Sequence, residues 1–280
     1  MWKQVARTPT GQTFDIESRS IGDTLEITVI EPFPGAASAG KLFPTLYVLD
    51  SFLTFDIVAG TKHLFDIFSG GALPLCYLVA IGYADPDIAA RRFRDYTPTK
   101  ADLPPGLSQP LPFGTGGAAS YFDVLRREII PDLERRYPLD PRERVLVGYS
   151  LSGRFATYAL FREPDAFGRY LIISPSLWWD RGSAFQEEEV WARSNTDLQA
   201  KVFLVGGDAE ETSGGGWRNN LPDEIGLPLK QLTNMRELDR RLVARNYPSL
   251  RLKTVLIPDG RHVTAFPAAV ALGLVEVLAL

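Results

Sequence analysis

Residues Arg144-Val-Leu-Val-Gly-Tyr-Ser-Leu-Ser-Gly-Arg-Phe-Ala-Thr-Tyr-Ala-Leu160 decide the fold. The stretch opens as a short apolar run of strand length and closes in a helical pattern, with Gly148, Ser150, Ser152 and Gly153 making a sharp small-residue turn between them. A strand that feeds a helix through so tight a turn belongs to an open, largely parallel α/β sheet. The turn also displays Ser150 at the end of the sheet and puts the next backbone N–H, that of Leu151, at the start of the helix. A nucleophilic serine requires that setting. The pattern is Gly-x-Ser-x-Ser-Gly, so Ser152 stands where Gly-x-Ser-x-Gly has its second glycine, and a small side chain still allows close packing of helix on strand.

The rest of the chain agrees with this unit. Thr13–Ser18 and Leu25–Ile30 alternate in polarity about a Gly22-Asp23 turn and predict an antiparallel edge. Further apolar runs at 44–49, 75–82, 144–149, 169–173, 201–205 and 251–257 predict parallel strands, separated by helical stretches. Helices are expected at 120–137, with Ser120 as N-cap, and at 151–162, 228–246 and 266–279. Pro131 should bend the first of these or sit at an irregular turn. The expectation is one domain over residues 1–280, with helices on both faces of the sheet. Two Gly/Pro-rich stretches, Thr97–Gly117 and Ala209–Leu227, read as binding loops or lids.

Composition narrows the function. With 280 residues, 45% hydrophobic, the chain can bury a large core. A net charge of −4 argues against a nucleic-acid surface. The single cysteine, Cys76, lies in an apolar run and reads as a buried structural thiol. The N-terminal stretch lacks a signal-like apolar segment and no run is long enough to span a bilayer, so a cytoplasmic chain without a membrane partner is expected. One cysteine and two histidines leave little for a nitrogen- and sulfur-ligated metal, and no cofactor is expected.

Serine needs a base, and only His262 follows Ser150 in the order Ser, acid, His. It lies in Ile257-Pro-Asp-Gly-Arg-His-Val-Thr264, a loop between the last strand and the last helix. His63, in the amphipathic stretch 52–68, reads as structural. The acid should sit in the turn Gly206-Gly-Asp-Ala-Glu-Glu211, where Asp208, Glu210 and Glu211 compete and Glu210 is favoured over Asp208. Backbone N–H groups of Leu151 and Phe52 are the candidate oxyanion donors. Trp178, Trp179 and Trp217 are candidate pocket walls, and Arg94 and Arg154 candidate anion binders or structural ion pairs.

The segments Pro44-Thr-Leu-Tyr-Val-Leu-Asp50, Arg91-Arg-Phe-Arg-Asp-Tyr-Thr-Pro-Thr99, Gly116-Gly-Ala-Ala-Ser-Tyr-Phe122, Gly148-Tyr-Ser-Leu-Ser-Gly153, Ile173-Ser-Pro-Ser-Leu-Trp-Trp-Asp180 and Asp259-Gly-Arg-His262 carry a family likeness. The chain resembles the esterase branch of the α/β-hydrolases that holds the enterochelin esterase-like and esterase D-like enzymes. The resemblance implies an α/β-hydrolase fold and a metal-independent serine esterase whose relatives cleave siderophore trilactones, other activated acyl esters or thioesters. It also implies that Phe52 supplies an oxyanion donor, with Asp50-Ser51 in place of the more usual Asp-Gly. Ala209 stands where the family commonly has Glu, which keeps a Ser–His dyad open beside a triad. An acyltransferase using the same site, or a non-catalytic binding protein on the same fold, are the competing readings.

Overall fold

In the computed structural model, which describes residues 11–84, 87–103, 110–211 and 229–279, the apolar runs pair into one eight-stranded sheet. Its strands are β1 (Gln12–Ser18), β2 (Asp23–Ile30), β3 (Phe43–Leu49), β4 (Tyr77–Tyr83), β5 (Leu139–Tyr149), β6 (Gly168–Ile173), β7 (Lys201–Gly207) and β8 (Arg251–Ile257). In space they run β1-β2-β4-β3-β5-β6-β7-β8. The pairs β1/β2 and β2/β4 are antiparallel, and every pair from β4 to β8 is parallel. This is the α/β-hydrolase architecture expected, with its antiparallel N-terminal strands.

Both faces of the sheet are covered, by α1 (Ser51–Phe68), α2 (Ile88–Asp95), α3 (Ala118–Val124), α4 (Ile130–Arg136), α5 (Leu151–Arg162), α6 (Trp179–Ser194), α7 (Gln231–Arg245) and α8 (Phe266–Leu278). Period-two alternation assigns the strand side chains to two cores. On β4, Tyr77, Val79, Ile81 and Tyr83 enter the core under α3, α5 and α7, whereas Leu78 and Ala80 enter the one under α1 and α8. Just before that strand, Cys76 is fully buried, and burial pushes its thiol up to about 12, so it stays protonated and inert at neutral pH. No helix among the described residues is long and apolar enough to cross a membrane.

Two local expectations are corrected. Ser120 is not an N-cap, because the helix already begins at Ala118: the N–H groups of Gly117 and Ala118 donate to the carbonyls of Arg94 (2.7 Å) and Thr97 (3.1 Å). Those backbone acceptors remove the need for a side-chain cap. The helix expected at 120–137 is also not continuous α-helix. A π-helical segment, Leu125–Ile129, precedes Pro131, which sits in the first turn of α4 where its missing N–H costs least. The fifth strand starts at Leu139 and so takes in polar residues that hydrophobicity alone leaves out.

Candidate active site

Ser150 has φ 56° and ψ −114°, a conformation that non-glycine residues rarely adopt, between the end of β5 and the start of α5. Neighbouring backbone holds it there. Its N–H donates to the Ile173 carbonyl (2.9 Å), and its carbonyl accepts from the N–H groups of Ser176 (2.9 Å) and Arg154 (3.0 Å). Gly148 is obligatory, since a Cβ there would lie 2.3 Å from the Ser152 carbonyl oxygen. Ser152, in the unusual position of the motif, is fully buried and closes the turn twice. Its Oγ donates to the Tyr149 carbonyl (2.9 Å) and accepts from the Tyr149 N–H (3.0 Å), which a glycine could not do.

Three side chains then form a line. Ser150 Oγ lies 2.9 Å from His262 Nε2, across 112 residues of sequence, and His262 Nδ1 lies 3.0 Å from Glu210 Oε2. The other oxygen of Glu210 accepts from Ser174 Oγ and from the Gly207 N–H, both at 2.6 Å. Those two donors fix one oxygen of the side chain and leave the other directed at the imidazole. Tyr149 braces the histidine from below, its ring stacked on the imidazole at 4.9 Å and its hydroxyl donating to the His262 carbonyl (2.9 Å). Burial and the nearby Glu210 raise the Tyr149 pKa, so this donor keeps its proton.

The loops bearing Glu210 and His262 are zipped together by backbone. Asp208 N–H donates to the Ile257 carbonyl (3.1 Å) and Ala209 N–H to the Gly260 carbonyl (3.0 Å). The approach is so close that a Cβ on Gly207 would sit 1.9 Å from the Gly260 oxygen. Ser150, Phe52, Ser174–Ser176, Glu210 and His262 thus all follow the C-terminal ends of parallel strands, where open α/β sheets collect their ligands.

The oxyanion candidates come from helix starts. Leu151 is the first residue of α5 and Phe52 the second of α1, so neither N–H has an acceptor within its own helix. Adjacent pairing of Val48 with Val147 brings the two helix starts to the same rim. Asp50, left-handed at φ 61°, turns the chain into α1, and its fully buried carboxylate takes a bidentate pair from Arg92 (2.6 and 2.9 Å). Arg92 also lies over the Phe52 ring (5.7 Å).

The "Putative esterase" family model matches residues 18–249. The chain belongs to this family. Among curated relatives, the ferri-bacillibactin esterase of Bacillus subtilis is 26% identical over 91% of this chain and 85% of its own. The triacetylfusarinine C esterase of Aspergillus fumigatus is 27% identical over 71% and 67%. In structure, the BES protein from Bacillus cereus superposes over the whole of both chains with a TM-score of 0.82 at 24% identity. An IroE-like serine hydrolase from Shewanella oneidensis gives 0.81 at 23%, covering 96% of this chain and 80% of its own. The protein is an esterase of the α/β-hydrolase fold.

Within this esterase the remaining candidates separate. Asp208 is exposed, and Glu211 accepts from the Thr233 N–H (2.6 Å) and Oγ1 (2.8 Å) in the first turn of α7, so neither meets His262. Trp179 is not a pocket wall: it is fully buried, stacks near Phe93 (5.9 Å) and donates Nε1–H to Thr99. Trp178 is half-buried, and its Nε1 lacks a hydrogen-bond partner among the described residues. Arg94 is a structural ion pair, bidentate on Asp95 and paired with Asp23. Arg154 is fully buried against Glu187 and Ser183. His63 borders a separate cavity beside Lys62 and Asp66. Trp217 lies outside the described residues. Sequence reasoning missed Tyr149, Ser174, Gln231 and Arg92, because their roles depend on partners far away in the chain.

Proposed function

We propose that this esterase cleaves the ester bonds of a siderophore, with Ser150 as nucleophile, His262 as general base and Glu210 as the acid that orients it. The observation behind this reading is the unbroken line from Ser150 Oγ through both ring nitrogens of His262 to Glu210, with steps of 2.9 and 3.0 Å. Glu210 keeps the imidazole proton on Nδ1, so Nε2 is free to accept the Ser150 proton. As Oγ attacks the ester carbonyl, charge collects on the carbonyl oxygen, and the Leu151 and Phe52 N–H groups receive it. Such preorganised donors are worth about 3–4 kcal/mol each. His262 then protonates the departing alkoxide, and water repeats the sequence in reverse to release the acid.

The substrate class rests on the two curated relatives, one a siderophore triacetylfusarinine C esterase and the other a ferri-bacillibactin esterase by name. The half-exposed Phe52 ring at the rim offers a flat apolar contact to an aryl or acyl group. The reading is of a single domain over residues 1–280 acting in the cytoplasm; the continuous sheet and the unpaired, buried Cys76 support it. Mass spectrometry of products from a ferric catecholate trilactone, a hydroxamate triester and simple p-nitrophenyl esters tests it. Turnover of at least one siderophore well above the simple esters, abolished in Ser150→Ala, is expected. Preference for the simple esters by a wide margin would remove the siderophore assignment, and turnover surviving Ser150→Ala would remove the mechanism.

A further inference from the structure

The segment after β6, Ser174-Pro175-Ser176, touches both ends of the line just described. Ser174, at φ 41°, donates its hydroxyl to Glu210, while the Ser176 N–H donates to the carbonyl of Ser150 itself. From α7, Gln231 Nε2 donates to the carbonyls of both Ser174 (2.5 Å) and Pro175 (2.7 Å), which clamps the turn. The segment is therefore rigid, and what it presents to the nucleophile is preset.

What it presents is a hydroxyl. Ser176 is 2% exposed, and its Oγ lies 3.5 Å from Ser150 Oγ, the one hydrogen-bonding neighbour of that hydroxyl among the described residues. An O–H···O contact is optimal at about 2.7–2.8 Å, so this one contributes little while Ser150 is a neutral alcohol. A donor held just out of range gains most when the acceptor becomes charged, because charge-assisted hydrogen bonds are shorter and stronger. Interactions that strengthen only in the transition state raise turnover.

We propose that Ser176 is a further catalytic residue, donating its hydroxyl hydrogen to Ser150 Oγ as that oxygen leaves the acyl-enzyme. The inference rests on Ser150 being the nucleophile. In deacylation, water loses a proton to His262 Nε2 as its oxygen bonds the acyl carbon. The carbon–Oγ bond then breaks, its electron pair goes to Oγ, and the His262 proton follows, which regenerates Ser150 and frees the carboxylic acid. Ser176 keeps its own proton throughout. In acylation the same donor helps Ser150 lose its proton but lowers its nucleophilicity, so the two effects oppose each other. In deacylation, Oγ is only a leaving group, and the donor acts one way. Loss of Ser176 must therefore slow the second half-reaction selectively.

Burst kinetics with p-nitrophenyl acetate separate the halves. In Ser176→Ala, the burst rate and the rate of fluorophosphonate labelling should fall by less than about twofold, while the steady-state rate falls about tenfold, the loss of one hydrogen bond to a charge-bearing group. Ser176→Thr, which keeps a hydroxyl, should recover most of the turnover. If the alanine variant does not fold, the nearly isosteric Ser176→Cys, a weak donor, should show the same selective loss. Burst and steady-state rates that fall together, or a steady-state rate that does not change, would overturn the proposal. Wild-type protein without burst or labelling would instead remove the Ser150 assignment itself, so the two failures are distinguishable.

Discussion

The turn that supplies Ser150 and the turn that supplies Glu210 both follow parallel strands at the same rim, yet they are specified in different ways. At Ser150 the requirement lies in the backbone: a positive φ, no room for a Cβ at Gly148, and a buried Ser152 hydroxyl that ties both ends of Tyr149. After β7, by contrast, three carboxylates stand within four residues and the backbone tolerates any of them. What separates Asp208, Glu210 and Glu211 is where each side chain finds donors, respectively solvent, His262 with Ser174, and the first turn of α7. Backbone-imposed chemistry leaves a local motif, whereas side-chain selection among neighbours leaves none.

The largest test of this contrast removes the centre of the first turn. Ser150→Ala should lower kcat by at least about 10⁴-fold with the fold intact by circular dichroism, as expected for a member of a unit that acts together. The second turn is tested by substituting its acids one at a time. Glu210→Gln should cost about 10²–10⁴-fold in kcat, since an amide can present the wrong tautomer to His262. Asp208→Asn should change kcat by less than about twofold. Comparable losses at the two positions would mean that the turn rearranges and that the hydrogen-bond pattern does not select the acid.

Legibility follows the same division. Strand alternation is a period-two property of adjacent residues and made β1 and β2 visible, while β3 to β8 stood out as short apolar runs, but Asp140-Pro-Arg-Glu143 is polar and hid the first five of the eleven residues of β5. Ser150 and His262 stood out through a motif and through scarcity, two histidines in the chain with one after the serine. Arg94 was singled out, and Arg92 proved to hold Asp50, for a reason of helix phase. Residues two apart on a helix point about 200° away from each other, so only one of them could face Asp50. Tyr149 looked like any aromatic at the end of a strand, and its hold on His262 closes only when β8 arrives beside β7.

A sharper test of the backbone half comes from Ser152. Ser152→Ala preserves the helix but leaves the buried Tyr149 N–H and carbonyl without the hydroxyl that joins them. An unmet buried donor or acceptor costs about 1–3 kcal/mol, so the midpoint of urea unfolding should fall with an unchanged slope. Ser152→Gly, which restores the commoner motif, should lose a similar amount, because neither variant has an oxygen. A glycine variant as stable as the parent would show that the hydroxyl pair contributes nothing and that the turn is set by sterics alone.

The smallest effect concerns the carboxylate next to the acid. Glu211 accepts two hydrogen bonds from Thr233 at the start of α7, where a negative charge also faces the positive end of the helix dipole. Glu211→Ala should therefore cost about 1 kcal/mol of stability, less in high salt, and leave kcat within about twofold. Because Gln231 in the same turn clamps the carbonyls of Ser174 and Pro175, a frayed α7 would loosen the support of Glu210 without touching it. A Glu211→Ala variant that loses activity out of proportion to stability, and regains it in Glu211→Asp, would place the cap within the positioning of the acid and erase the sharp distinction between neighbouring carboxylates.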